Sequence, residues 1–280
     1  MKYDTETFTA DEEALRGVAG LRSPEHRTLD PEMVTADQDG RKSLDACFWV
    51  ASSGDKGRPL PRTRAKAKIS TTDTVLPVDS AQSFVAGDVL RIVPASAQIN
   101  LSGTWASGNT LTIEVAGADF VYTATGSDIA VIADEAAAAF NADPQFMYLA
   151  TAIAGEESVH ILAKDFSSAH SIAVSATGGT AAIANNQTVL LAFREIGTVD
   201  TNGVNVSENQ LTLTGTAAFS APIGMPIGTA DTPIGLHLRP LDLLEQAVEV
   251  GLHTSASIKK GVMPYYDDGL AKLFPEIQVG

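Results

Sequence analysis

Apolar and polar residues alternate through Leu111-Thr112-Ile113-Glu114-Val115, which predicts an extended strand with one buried face. Ala116 to Asp119 turns the chain. Phe120 to Thr125 then supplies a hairpin partner, with Phe120 and Tyr122 on one face and Val121 and Thr123 on the other. Gly126-Ser127-Asp128 reads as a turn and N-cap, and from Ile129 to Asn141 the period lengthens to that of a helix. Ile129, Ile132, Ala133, Ala136 and Phe140 fall on one stripe of it, and Asn141 and Pro144 close it. Alternating stretches near Phe146 to Ile153 and Val159 to Lys164 flank a turn at Gly155-Glu156-Glu157, and a short strand is expected at Ile172 to Ala176.

Around this unit the pattern is that of an all-β domain. Lys66 to Ile69, Val75 to Val78 and Val89 to Ile92 read as strands, the last entered through the tight turn Gly87-Asp88. The pattern stops at Pro94 and resumes at Val189 to Ile196, Gly197 to Val206 and Asn209 to Thr214. The β-domain therefore reads as split, with a second unit inserted at a loop tip, where the chain ends already lie close together. The expected fold is mainly β: a small β-barrel or sandwich domain, 66–95 plus 189–230, interrupted by an inserted α/β (ββαββ-like) domain, 96–188.

The two ends carry less pattern. Residues 1–65 read as an extended N-terminal arm and a basic connector. Met1 to Asp45 is polar, broken by Pro24, Pro31 and Gly40, and too poor in periodic apolar residues to fold alone. Its scattered Tyr3, Phe8, Leu15 and Leu21 are candidate anchors for pockets on a neighbouring subunit, and removing Met1 to Asp45 is expected to leave the β-domain folded. The one basic block, with Arg58, Arg62 and Arg64, reads as a solvated or partner-facing connector, since no aromatic residues interleave with it as in a single-strand binding surface. Ala221 to Pro233 reads as an irregular linker, Pro240 to Val250 as a short helix with strand as the alternative, and 231–280 as a docking segment whose anchors are Tyr265, Tyr266 and Phe274.

A net charge of −15 over 280 residues argues against nucleic acid as the main partner. The single cysteine, Cys47, rules out an intramolecular disulfide and reads as apolar filler beside Phe48 and Trp49. No leader pattern or membrane-length apolar run is present, so synthesis in a cytoplasm without membrane contact is expected. The five histidines lack metal-ligand spacing and read as surface or sheet-face residues. Asp267-Asp268 lacks the rest of a calcium loop, Thr177-Gly178-Gly179-Thr180 lacks the lysine of a phosphate loop, and no nucleophile elbow occurs. No enzyme activity, cofactor or metal is expected.

Val75 to Ile92, Glu195-Ile196-Gly197-Thr198-Val199-Asp200 and Asn209-Gln210-Leu211-Thr212-Leu213 together resemble the small β-domains of tailed-bacteriophage head decoration proteins, also called capsid cement proteins. The inserted unit, with Leu111 to Val115, its Ala-rich helix and Asn141-Ala142-Asp143-Pro144, looks like a module of phage virion structural proteins. The resemblance spans roughly residues 66 to 230. It implies a structural virion protein on the capsid exterior that bridges neighbouring copies of the major capsid protein, commonly as a homotrimer. A tail or baseplate component, and an adhesion or carbohydrate-binding module, are the alternatives. For the last, Trp105, Tyr122 and Tyr148 are the Trp and Tyr faces in or near the insertion.

Overall fold

The computed structural model describes residues 25–44, 48–53, 55–164, 170–190, 194–237, 241–242, 248–252, 256–258 and 277–279. The first strands are β1 (Glu25–Leu29), β2 (Ser43–Leu44), β3 (Phe48–Ser53), β4 (Lys56–Pro59), β5 (Arg62–Arg64), β6 (Val75–Pro77) and β7 (Val89–Ile92). Next come β8 (Ser96–Ser102), β9 (Thr110–Val115), β10 (Ala118–Thr123), the helix α1 (Ile129–Ala142), β11 (Ala150–Gly155), β12 (Ser158–Ala163), β13 (Ile172–Ala176) and β14 (Thr180–Ile183). The chain continues through β15 (Arg194–Asn205), β16 (Gln210–Leu213), β17 (Pro226–Gly228), β18 (Pro233–His237), β19 (Leu241–Asp242), β20 (Val248–Leu252), β21 (Ala256–Ile258) and β22 (Ile277–Val279). The fold is mainly β, with α1 the one α-helix among the described residues.

The elements expected between Leu111 and Ala176 form where the local pattern puts them. β9 and β10 pair through a two-residue turn, Ala116-Gly117, in which both residues take positive φ (54° and 80°). That handedness matches the twist of the hairpin strands. The Asp128 carboxylate accepts from the Ala130 and Val131 N–H groups and caps α1. Ile132, Ala133, Ala136, Ala137 and Phe140 bury its inner face, and Phe140 packs with Phe120 and Phe146 at ring-centroid separations of 5.2 and 4.9 Å. Phe146 sits in the turn after the helix, and the strand expected from it begins at Ala150.

Two strands of this region escaped the sequence reading. β8 lies between β12 and β14 in the sheet β11-β12-β8-β14, and β14 closes its far edge. Beside it stands the sheet β10-β9-β13.

The strands β5-β17-β7-β15-β16-β6 form one sheet that curls into a half-barrel, its outer members brought together by the bridge Ala65↔Val78. Leu76, Phe84, Leu90, Ile92, Ile196 and Ile227 fill it. β7 and β15 are antiparallel neighbours, with Ile92 opposite Arg194, so the chain leaves the half-barrel before β8 and re-enters beside its point of exit. Within 66–69 only the isolated bridge Ile69↔Ala221 forms, and β15 runs through Asn202-Gly203 with a register shift between Val199 and Val204.

The ends of the chain correct the arm-and-tail expectation wherever they are described. β1 pairs antiparallel with β20 and parallel with β4, within the sheet β18-β3-β4-β1-β20. Leu29, Val34, Leu44, Phe48, Val50, Val250 and Leu252 form a core of their own. Residues distant in sequence thus supply one another's apolar partners, and no local periodicity could report that. Residues 25–44 are therefore body and not arm. Gly57 in β4 is required by this packing, because a Cβ there would lie 2.9 Å from Val50 Cγ1. The expected linker 221–233 contributes β17, which pairs with β5 and β7, and the described parts of 240–250 are strand.

Candidate functional site

The sheet β11-β12-β8-β14 has two faces of different chemistry. Ala97, Ile99 and Leu101 of β8 and Val159, Ile161 and Ala163 of β12 pack toward α1 in one core. The alternate residues point the other way. Leu162, joined by the half-buried Ile153, enters the core of the half-barrel. Gln98, Asn100, Ser158 and His160 share this second face, and they form the floor of a cleft of about 660 Å³. Ala130 and Asp134 of α1 make one wall, and Lys68 with Ser220 to Ile223 make the other. Lys68 of the half-barrel is ion-paired across the mouth with Glu156 of the β11–β12 turn.

Beneath the floor lies Arg194, buried at 8% exposure at the start of β15. Its guanidinium stands 4.2 Å from the Phe219 ring centroid and donates from Nη2 to Gln98 Oε1 at 3.2 Å. Gln98 Nε2 in turn donates to Asn100 Oδ1 at 2.8 Å. Burial lowers the Arg194 pKa. His160, 1% exposed, has its pKa pushed down to about 3, first by burial and then by the charge of Arg194. The ring is therefore neutral at pH 7. Its Nε2 lies 3.2 Å from Ser158 Oγ, and its Nδ1 has no hydrogen-bond partner.

The three arginines expected to face a partner are placed unequally. Arg58 is buried, with Nη1 and Nη2 donating to the two Asp88 carboxylate oxygens at 2.9 and 2.7 Å. Arg62 is buried and donates to the Thr229 carbonyl at 2.6 Å. Both sit inside the fold, which corrects the solvated-connector reading of this block for Arg58 and Arg62; Arg64 is exposed. Tyr3, Phe8, Leu15, Leu21, Tyr265, Tyr266 and Phe274 lie outside the described residues. Trp105 and Tyr122 are buried at 2% and 8% exposure, while Tyr148 is 70% exposed.

Sequence reasoning left His160 as a surface or sheet-face residue and did not find the cleft. The alternation of Ala97, Ile99 and Leu101 with Gln98 and Asn100 was the signal that β8 exists and turns a polar face away from α1. Nothing local marks Arg194 as the residue beneath that face. Among the described residues no group of three or more potential ligands could hold a metal ion, and no helix is long and apolar enough to cross a membrane. No protein-family model matches the chain, and no curated protein matches it.

Proposed function

We propose that this chain is a non-enzymatic structural protein of a tailed-phage virion, which binds the capsid exterior and cements neighbouring copies of the major capsid protein, as a homo-oligomer with a trimer favoured. The observation that carries the reading is the pairing of Ile92 with Arg194. It supports a half-barrel carrying an α/β unit inserted at one point of its rim, the split organisation on which the resemblance to capsid cement proteins rests. Insertion between adjacent strands leaves the host sheet intact, because the ends to be joined are already neighbours.

The internal wiring supports a scaffold. Arg58 joins the sheet containing β4 to the turn before β7, Leu162 plugs the α/β unit into the half-barrel, and Lys68–Glu156 spans the remaining gap. A body braced in this way holds its surfaces in fixed relation, as bridging two capsid subunits requires. The net charge of −15 keeps such a protein off packaged nucleic acid.

Cryo-electron microscopy of undecorated heads of the encoding phage, incubated with the purified protein, tests the reading. Added density at repeated positions on the outer shell, with subunits clustered about a symmetry axis, is the expected result. Bare heads, together with rings or tubes formed by the protein alone, would transfer the assignment to a tail or baseplate component.

A further inference from the structure

We propose that the cleft between the half-barrel and the α/β unit is a binding site for a neutral, polyhydroxylated ligand, a short saccharide being the chemical class that fits. The inference is independent of the virion reading. It rests on two hydrogen-bond chains whose directions are set below the floor.

The first chain begins at Arg194. A guanidinium has donors only, so the group of Gln98 that faces it must be the amide oxygen, as found at 3.2 Å. That fixes Gln98 Nε2 toward Asn100, whose oxygen accepts at 2.8 Å. The chain can then end only on the Asn100 NH₂ group, a donor at the cleft surface polarised by the cation two steps behind it.

The second chain begins at His160. A neutral ring carries one proton, and because orphaned buried N–H groups are the rarer kind, the unpartnered Nδ1 is the lone pair. The proton then sits on Nε2 and is donated to Ser158 Oγ at 3.2 Å, which leaves the Ser158 hydroxyl hydrogen free for a partner in the cleft. The floor thus offers donors.

The rim offers acceptors. Asp134, Glu156 and Glu157 line the cleft with Lys68, which is paired with Glu156, so at the rim three negative charges face one positive, with the Arg194 charge buried beneath the floor behind Gln98. A free carboxylate or phosphate is repelled by that balance, and a ligand with acceptors alone leaves the rim unmatched. Hydroxyl groups accept from Asn100 and Ser158 and donate to the carboxylates at once. Pro222 and the 64% exposed Ile223 supply an apolar wall for the C–H face of a sugar ring. The volume, about 660 Å³, lies within the roughly 300–1,000 Å³ common for small-molecule sites.

Saturation-transfer NMR on the full chain with D-glucose, D-galactose, N-acetyl-D-glucosamine, cellobiose and maltose is the test. At least one sugar is expected to receive saturation, and Asn100→Ala and Ser158→Ala should each weaken it about three- to ten-fold, the scale of one neutral hydrogen bond. Sodium D-glucuronate should bind more weakly than D-glucose. Should a variant fold poorly, titrating the unmodified protein and following the side-chain amide signals of Gln98 and Asn100 gives the second reading, in which those signals are expected to shift. No transfer from any of the five sugars, binding indifferent to both substitutions, unmoved amide signals, or a preference for glucuronate would each overturn the proposal.

Discussion

Arg58 grips Asp88 through two nearly parallel hydrogen bonds, of 2.9 and 2.7 Å, with both side chains 8% exposed. Asp88 Oδ2 also accepts from the Val85 N–H, so one carboxylate shapes the turn before β7 and ties it to β4. Removing Arg58 strands the buried Asp88 carboxylate, which costs about 3–5 kcal/mol, whereas Arg58 without Asp88 keeps Asp231 Oδ2 at 3.5 Å. Arg58→Met is expected to lose stability on that scale in urea unfolding, and Asp88→Asn less. The double variant Arg58→Met/Asp88→Asn, which keeps a side-chain oxygen for the Val85 N–H, should recover part of it, because a buried pair owes much of its value to the penalty of breaking it.

The edge of β11 is closed by a side chain. Asn141 at the end of α1 donates from Nδ2 to the Ala152 carbonyl and accepts from the Ala152 N–H with Oδ1, both at 2.8 Å, as a neighbouring strand would. Asn141→Leu leaves both backbone groups without partners. Each orphaned group costs roughly 1–3 kcal/mol, less where water can enter. A loss of about 2 kcal/mol, with faster hydrogen exchange at Ala152 than elsewhere in the sheet, is the expected outcome.

Acid should weaken the fold through His160. Its folded-state pKa, about 3, lies below the ordinary value of 6.5, so between those limits the unfolded chain binds the extra proton. The stability is fully present above pH 6.5 and is lost as pH falls toward 3, by up to about 1.4 kcal/mol per pH unit from this group. Asp30 and Glu135, whose carboxyl pKa values are lowered chiefly by hydrogen bonds from Lys56 and from Tyr122, act in the same direction at lower pH. Unfolding free energies at pH 7, 6 and 5 should decline in the wild type and flatten in His160→Leu.

Deletion of residues 1–45 is expected to destabilise the sheet that holds β1, a cost the reading of this segment as an arm does not anticipate. It removes β1 and β2 and the buried Leu29, Val34 and Leu44, which complete the core shared with Phe48, Val50, Val250 and Leu252. A loss exceeding about 3 kcal/mol, with early urea unfolding of β18 and β20, is expected, since burying even one such side chain is worth about 2–5 kcal/mol.

What the sequence made legible was local. The β9–β10 hairpin and α1 were readable because their periods, the Ala116-Gly117 turn and the Asp128 cap lie within a few residues of each other. β8 was also written in its alternation, but weakly: Ala97 is small, and no turn signal separates the strand from Pro94. The third core could not be read, because Leu29 shares it with Val250 and Leu252 from the far end of the described chain. Arg58 misled for a related reason. A basic residue among lysines reads as solvated until its carboxylate, Asp88, is found thirty residues away. The cleft was hidden in the same manner, since its floor and the cation beneath it come from three separate strands.

The most direct test of the virion assignment is co-sedimentation of the purified full chain with isolated, undecorated heads of the encoding phage. Saturable binding is predicted, at a stoichiometry that is a simple fraction of the capsid subunits, with heads gaining resistance to heat and osmotic shock. A well-folded protein that stays in the supernatant at every concentration, leaving the heads as fragile as before, would contradict it.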